Sequence, residues 1–176
     1  MFGFVHRNLL QYDDGTIMVY QRLFNLVTQG KVFVVSHRFG AVSSASSVYM
    51  YLENPSNSGK NIYLVAIEVI STGQFWVDIY VDNTVSSAGT TITPVNLNLE
   101  STNSSVAYVE YGGTYSLGTQ IHQTVAPGGS GIRAIGSVVN VSEAMIMPPG
   151  KNIVIVATNQ SASAEDMSIR IVWWEE

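Results

Sequence analysis

The residues that could carry chemistry are few and scattered. Three histidines, His6, His37 and His122, sit in separate segments, and none has a second His, Asp or Glu at the spacing a bound metal needs. The chain holds no cysteine, which excludes thiol nucleophiles, thiolate zinc sites and iron–sulfur clusters. Serines are abundant, yet none stands in the G-x-S-x-G turn that exposes a nucleophile. Pro127-Gly-Gly-Ser-Gly-Ile-Arg133 is as glycine-rich as a phosphate loop but lacks the Lys-Ser/Thr pair and a following helix, so it reads as a turn. Asp13-Asp14-Gly15 lacks the further acidic positions of a calcium loop. Glu68 and Asp78 each interrupt an apolar strand, but acid–base work needs two carboxyls facing one cleft. Alternation puts Asp78 beside Trp76 and Tyr80 on an outward face, where a carboxylate is solvated or paired. The sequons at Asn103, Asn140 and Asn159 are what a chain rich in Asn, Ser and Thr contains by chance. No catalytic residue, metal site or cofactor is expected.

Aromatic rings are the more informative excess. Trp76 and Tyr80 share the outward face of one strand, Tyr49 and Tyr51 alternate with Val48, Met50 and Leu52, and Trp174 is offset from Trp173. Large rings left in water are sticky, so these should be covered by an arm, a second subunit or a ligand. The run Asn61–Ile70 is apolar on both faces, Tyr63/Val65/Ile67/Val69 and Ile62/Leu64/Ala66/Ile70, as a strand at a subunit interface would be. The expected interface therefore comprises Tyr63, Val65, Ile67, Trp76 and Tyr80, with Phe4, Leu9 and Leu10 of the N-terminal segment. The rival expectation is a carbohydrate site, in which Trp76, Tyr80 and Tyr49 stack on sugar rings beside Asp78.

The elements that must hold these residues are strands. Period-two alternation recurs in 75–82, 95–99 and 167–174, with further candidates at 31–38, 48–53, 61–70, 105–111, 119–125, 132–141 and 151–158. Turn clusters such as Asn54-Pro-Ser-Asn-Ser-Gly59 and Pro148-Pro-Gly150 separate them. The expectation is an all-β, antiparallel, jelly-roll-like β-sandwich of about eight strands. The segment 16–28 is ambiguous: Ile17, Tyr20, Phe24 and Val27 have helical spacing, but apolar residues fill the other sides. Residues 1–30 are accordingly assigned to an N-terminal arm or added strands, and 31–176 to the sandwich.

Composition narrows the function classes. With 13 acidic against 8 basic residues the net charge is −5, which argues against nucleic-acid binding. Charged residues make up only 12% of the chain where about a quarter is usual, and short polar residues take their place. Such a surface suits close packing against other protein copies. The charges that remain fall at turns, at strand edges and at the terminal Glu175-Glu176. No apolar run is long enough for a membrane helix, and His6, Arg7 and Asn8 interrupt the apolar start before it reaches the length of a secretion signal.

Several motifs occur in a telling order: Tyr51-Leu-Glu-Asn-Pro-Ser-Asn-Ser-Gly-Lys-Asn-Ile-Tyr63, Thr91-Ile-Thr-Pro-Val-Asn-Leu-Asn98, Met147-Pro-Pro-Gly-Lys-Asn-Ile153, Thr158-Asn-Gln-Ser161 and Ile169-Arg-Ile-Val-Trp-Trp-Glu175. Over residues 31–176 this resembles small structural proteins of tailed phages and other virions that have a jelly-roll-like sandwich. The resemblance implies a virion component, such as a capsid decoration, turret or fibre protein, on the particle surface. It implies a homo-oligomer, with a trimer favoured, that contacts the major capsid protein or other virion proteins. Attachment to a host surface glycan is a compatible role. No catalytic residue carries over.

Overall fold

The computed structural model describes residues 16–127, 137–141 and 145–176, with side chains described for 22–127 and 145–176. Expectations for Phe4, His6, Leu9, Leu10, Asp13, Asp14 and the 128–133 turn lie outside the described residues, and that for Asn140 rests on a side chain outside them. One helix, α1 (Thr16–Thr28), precedes β1 (Val32–Val42), β2 (Ser47–Asn54), β3 (Ile62–Ser71), β4 (Phe75–Val81), β5 (Thr84–Ser87), β6 (Thr90–Thr91) and β7 (Val95–Asn96). The second half comprises β8 (Tyr108–Tyr111), β9 (Thr114–Ser116), β10 (Thr119–Ala126), β11 (Ser137–Val141), β12 (Met145–Met147), β13 (Lys151–Asn159) and β14 (Glu165–Glu175).

Antiparallel pairing gathers the strands into two main sheets that form a sandwich-like arrangement. The first runs β11-β3-β14-β1-β7, with β12 also on β3, and the second runs β10-β4-β13-β2-β8-β6. A separate hairpin-like pair, β5 and β9, stands apart from both. The inner faces follow from alternation. Phe75, Val77 and Ile79 of β4, Ile153, Ile155 and Ala157 of β13, and Met167, Ile169, Ile171 and Trp173 of β14 all enter one buried cluster. Phe33 and Trp173 meet near its centre, ring centroids 6.3 Å apart.

Strand β3 departs from the expected alternation. Val172 lies opposite Ala66 and Trp173 opposite Leu64, so Val65 is an extra residue on β3. This β-bulge reverses side-chain direction between its two sides. Ile67 and Val69 enter the core, whereas Tyr63 points outward. The expectation that Tyr63, Val65 and Ile67 share one outward face therefore fails at the bulge. A second correction concerns the sheets: β3 lies in the first and β4 in the second, so Tyr63 and Trp76 belong to opposite sides of the sandwich.

The ambiguous segment is helical, not an added strand. Its buried line is Leu23, Leu26 and Val27, while Phe24 faces outward at 67% exposure. The helix ends in a Schellman motif: the Gly30 N–H donates to Val27 O at 2.8 Å and the Lys31 N–H to Leu26 O at 3.0 Å. Gly30 holds φ +65° there, and a Cβ on it would lie 2.1 Å from Ser101 Oγ. Carboxamides satisfy the remaining helix-end carbonyls, Asn98 donating to Thr28 O and Asn103 to Gln29 O and Gly30 O. Among the described residues, no helix is long and apolar enough to cross a membrane.

Candidate functional site

Outward aromatics fall into three groups, distinguished by what covers them. On the first sheet Tyr63 stacks on Trp174 with ring centroids 3.8 Å apart and planes 5° from parallel. Helix α1 lies over this pair, packing Leu23, Leu26 and Val27 against Val32, Val34, Tyr63, Val65, Val172 and Trp174. The Arg22 guanidinium sits 5.4 Å from the Trp174 ring centroid. The double apolarity of β3 is thus explained within the chain: one face meets the core and the other meets α1. Beside the helix an apolar groove of about 450 Å³ remains, lined by Leu23, Leu26, Tyr63, Val65, Ile146 and Trp174 among others.

On the second sheet a tyrosine cluster forms over Val154 and Val156 of β13, comprising Tyr49, Tyr51, Tyr80, Tyr108 and Tyr115. Tyr115, on β9, stacks on Tyr51 at 5.4 Å and 11°, so the β5–β9 pair acts as the cover of this group. At its centre lies Glu110, with no exposed surface. Its carboxylate accepts the Tyr108 hydroxyl at 2.7 Å and the Tyr115 hydroxyl at 2.9 Å. Tyr51 donates to Glu53 at 2.9 Å. Burial pushes the Tyr51 and Tyr115 phenols well above their usual range, helped by the hydrogen bonds to Glu53 and Glu110 respectively. Tyr49 and Tyr80, expected as open platforms, are half-buried members of this cluster.

The third group is Trp76, and among the described residues neither α1 nor the β5–β9 pair packs over it. Trp76 is 43% exposed, opposite Val125 of β10, which is 58% exposed. The next outward pair along is Asp78 and Gln123, and beyond a register shift Tyr80 lies opposite Gln120. The Gln120 amide donates to Asp78 Oδ1 at 2.8 Å. Partial burial raises the Asp78 pKa, with the Gln120 hydrogen bond and the nearby His122 opposing that rise. On the other side of Trp76 lies Thr158, whose hydroxyl is 2.8 Å from that of Ser47. A flat, partly apolar ring therefore sits on a rigid strand amid amide, carboxylate and hydroxyl groups.

The two carboxylates singled out in the sequence are not brought together. Glu68 pairs with Arg170 at 2.8 Å on the first sheet, while Asp78 stands on the second. His37 stacks on Tyr111 at 3.6 Å, with Phe39 edge-on, and burial lowers its pKa. Among the described residues, no group of three or more His, Asp and Glu gathers as a metal site would require. Asn159 is fully buried and its amide nitrogen donates to Val42 O and Ser163 O, which closes that sequon to modification.

Sequence reasoning missed the two buried acids. Glu175 is not a peripheral terminal charge: its side chain is fully enclosed and accepts hydrogen bonds from the Ser105 hydroxyl, the Val106 N–H and the Trp173 indole N–H, with Lys60 at 3.5 Å. A neighbouring tryptophan on an alternating strand was the one available signal. The strand expected over 95–99 ends at Asn96, and a bend and turn carry Leu97 and Leu99. Asn96 and Asn98 turn inward to the end of α1, which leaves Val95, Leu97 and Leu99 54%, 37% and 87% exposed.

The chain matches no family model, and a search of curated proteins returns no match.

Proposed function

We propose that the protein is a structural subunit of a virion, of the capsid decoration or turret kind, that assembles as a homo-oligomer on the particle surface. The observation that carries this reading is the outward row Val95, Leu97 and Leu99. Asn98 donates to the carbonyl of Thr28, so the turn after β7 that carries Leu97 and Leu99 is held at the C-terminal end of α1, a helix whose Phe24 is also exposed. Large exposed apolar side chains grouped on a protein surface mark an interaction site, and a charged share of only 12% limits local repulsion between copies even at a net charge of −5. Strand order supports a jelly-roll wiring. β1, β14, β3 and β11 share one sheet and β2, β13, β4 and β10 the other, interleaving strands from both halves of the chain. The order of turn motifs points the same way.

The helix and arm fit an anchoring role. α1 is seated on the first sheet beside the apolar groove. Two experiments test the reading. Replacing Leu97→Ser together with Leu99→Ser should convert an oligomer to monomer in light scattering while leaving the circular dichroism spectrum unchanged, because both side chains lie on the surface. Mass spectrometry of gradient-purified particles should find the chain as a stoichiometric component, and its absence from particles would remove the virion half of the proposal.

A further inference from the structure

We propose that the ledge built by Trp76, Asp78, Gln120 and Gln123 on the second sheet is a binding site for a neutral hexopyranose. This goes beyond the assembly reading and rests on a different face of the molecule.

The chemistry of a pyranose ring is two-sided. One face carries a patch of C–H groups that packs on an aromatic ring, and the rim carries hydroxyls that both donate and accept. The ledge supplies both in the required relation. Trp76 offers the flat surface, and it is fixed because β4 lies between β10 and β13, paired along its whole length. Outward residues on one strand repeat every ~7 Å and cross-strand neighbours lie ~5 Å apart. A single sugar ring over the indole therefore reaches Asp78 on the same strand and Gln123 across from it. Asp78 accepts from a hydroxyl, Gln120 orients Asp78 through the 2.8 Å bond, and Gln123 is exposed and able to donate or accept. Thr158 and Ser47 extend the polar rim on the opposite side of the ring.

Two observations set this ledge apart from the other aromatic groups. Tyr63 and Trp174 are occupied by α1, and Tyr49, Tyr51 and Tyr80 by the β5–β9 pair, whereas among the described residues neither cover reaches Trp76, which has Val125 on one side and Thr158 on the other, with Asp78 and Gln123 as the next outward pair. Charge decides the class of sugar. The chain carries −5 overall, and the ledge itself presents a carboxylate, so acidic sugars are repelled and neutral ones are not.

The test is saturation-transfer NMR on the full chain with methyl β-galactoside, methyl α-mannoside, methyl β-glucoside and N-acetylneuraminic acid, each at about millimolar concentration, the range of weak single-site recognition. The expected result is transfer to the C–H face of at least one neutral glycoside and none to N-acetylneuraminic acid. Trp76→Ala should abolish the transfer, and Asp78→Asn should weaken binding about tenfold, as loss of a charged hydrogen-bond partner does. Both variants should keep the wild-type oligomeric state, which separates this site from the assembly surface. No transfer to any neutral glycoside, transfer confined to the acidic sugar, transfer that survives Trp76→Ala, or dissociation of an oligomer by Trp76→Ala would each overturn the assignment.

Discussion

Glu110 shows how a single acid can organise a surface. Its carboxylate has no exposed area and takes two phenol hydroxyls, one from its own strand and one from the covering β9. Glu110→Ala should cost about 3 kcal/mol, since two hydrogen bonds to a charged group are lost and two phenols are left facing a void. Glu110→Gln, which keeps an acceptor, should cost less, and urea denaturation midpoints of the two variants check the ranking. The tyrosines themselves predict an alkaline limit. Tyr51 and Tyr115 have folded-state pKa values raised above the unfolded value of about 10. Their contribution to stability is therefore complete below about pH 10 and is lost as pH climbs toward the folded-state values, because the unfolded chain releases protons that the folded chain retains. A pH series of thermal melts should show Tm falling above that point, with a shallower fall in Tyr115→Phe.

The legibility of these residues in the sequence was uneven for a physical reason. Period-two alternation identifies which residues of β4 and β14 face the core, because both strands are regular along the segments it covers. It fails on β3, where one added residue at Val65 switches faces, since a bulge leaves no mark in an all-apolar run. Buried acids are similarly silent: Glu110 and Glu175 look like surface charges until their partners, distant in sequence, are placed around them.

At the scale of elements, α1 and the β5–β9 pair do equivalent work on opposite sides of the sandwich. Each covers aromatic side chains that the sequence presents as exposed. Helical spacing was visible in 16–28, but the line named there included Phe24, which faces outward, because apolar residues surround the helix on several sides. The separate β5–β9 cover was not foreseen. Its strands are short, Thr84–Ser87 and Thr114–Ser116, and they are held by Tyr115 packing on Tyr51 and by Asn83, which bonds to Asn152 and accepts from the Gly118 N–H. Docking of α1 depends on its C-terminal stop. Gly30→Ala should destabilise by about 1–2 kcal/mol, combining the strain of a left-handed residue with displacement of Ser101. Gly59→Ala has a similar φ of +69° but nothing within 4 Å of the added carbon, so it should show the backbone cost alone. Equal destabilisation of the two variants would mean that the contact between Gly30 and Ser101 is unimportant.

For the whole molecule, the division of labour is between a core sealed by two sheets and an outer surface that is only partly covered. Charged residues are only 12% of the chain, and several large apolar side chains are exposed: Phe24 on α1, Val95, Leu97 and Leu99 on β7 and the turn after it, and Trp76, Ile121 and Val125 on the β4–β10 side. The inward turn of Asn96 and Asn98 explains why the first patch was invisible in the sequence, where Val95, Leu97 and Leu99 have the pattern of a core-facing strand. The first patch is proposed to contact another copy and the second to bind a sugar. Sedimentation velocity of the full chain across a dilution series at neutral pH tests the first assignment most directly. A discrete oligomer is expected at micromolar concentration, reduced to monomer by Leu97→Ser with Leu99→Ser; a wild-type chain that sediments as a monomer throughout would contradict assembly through this patch.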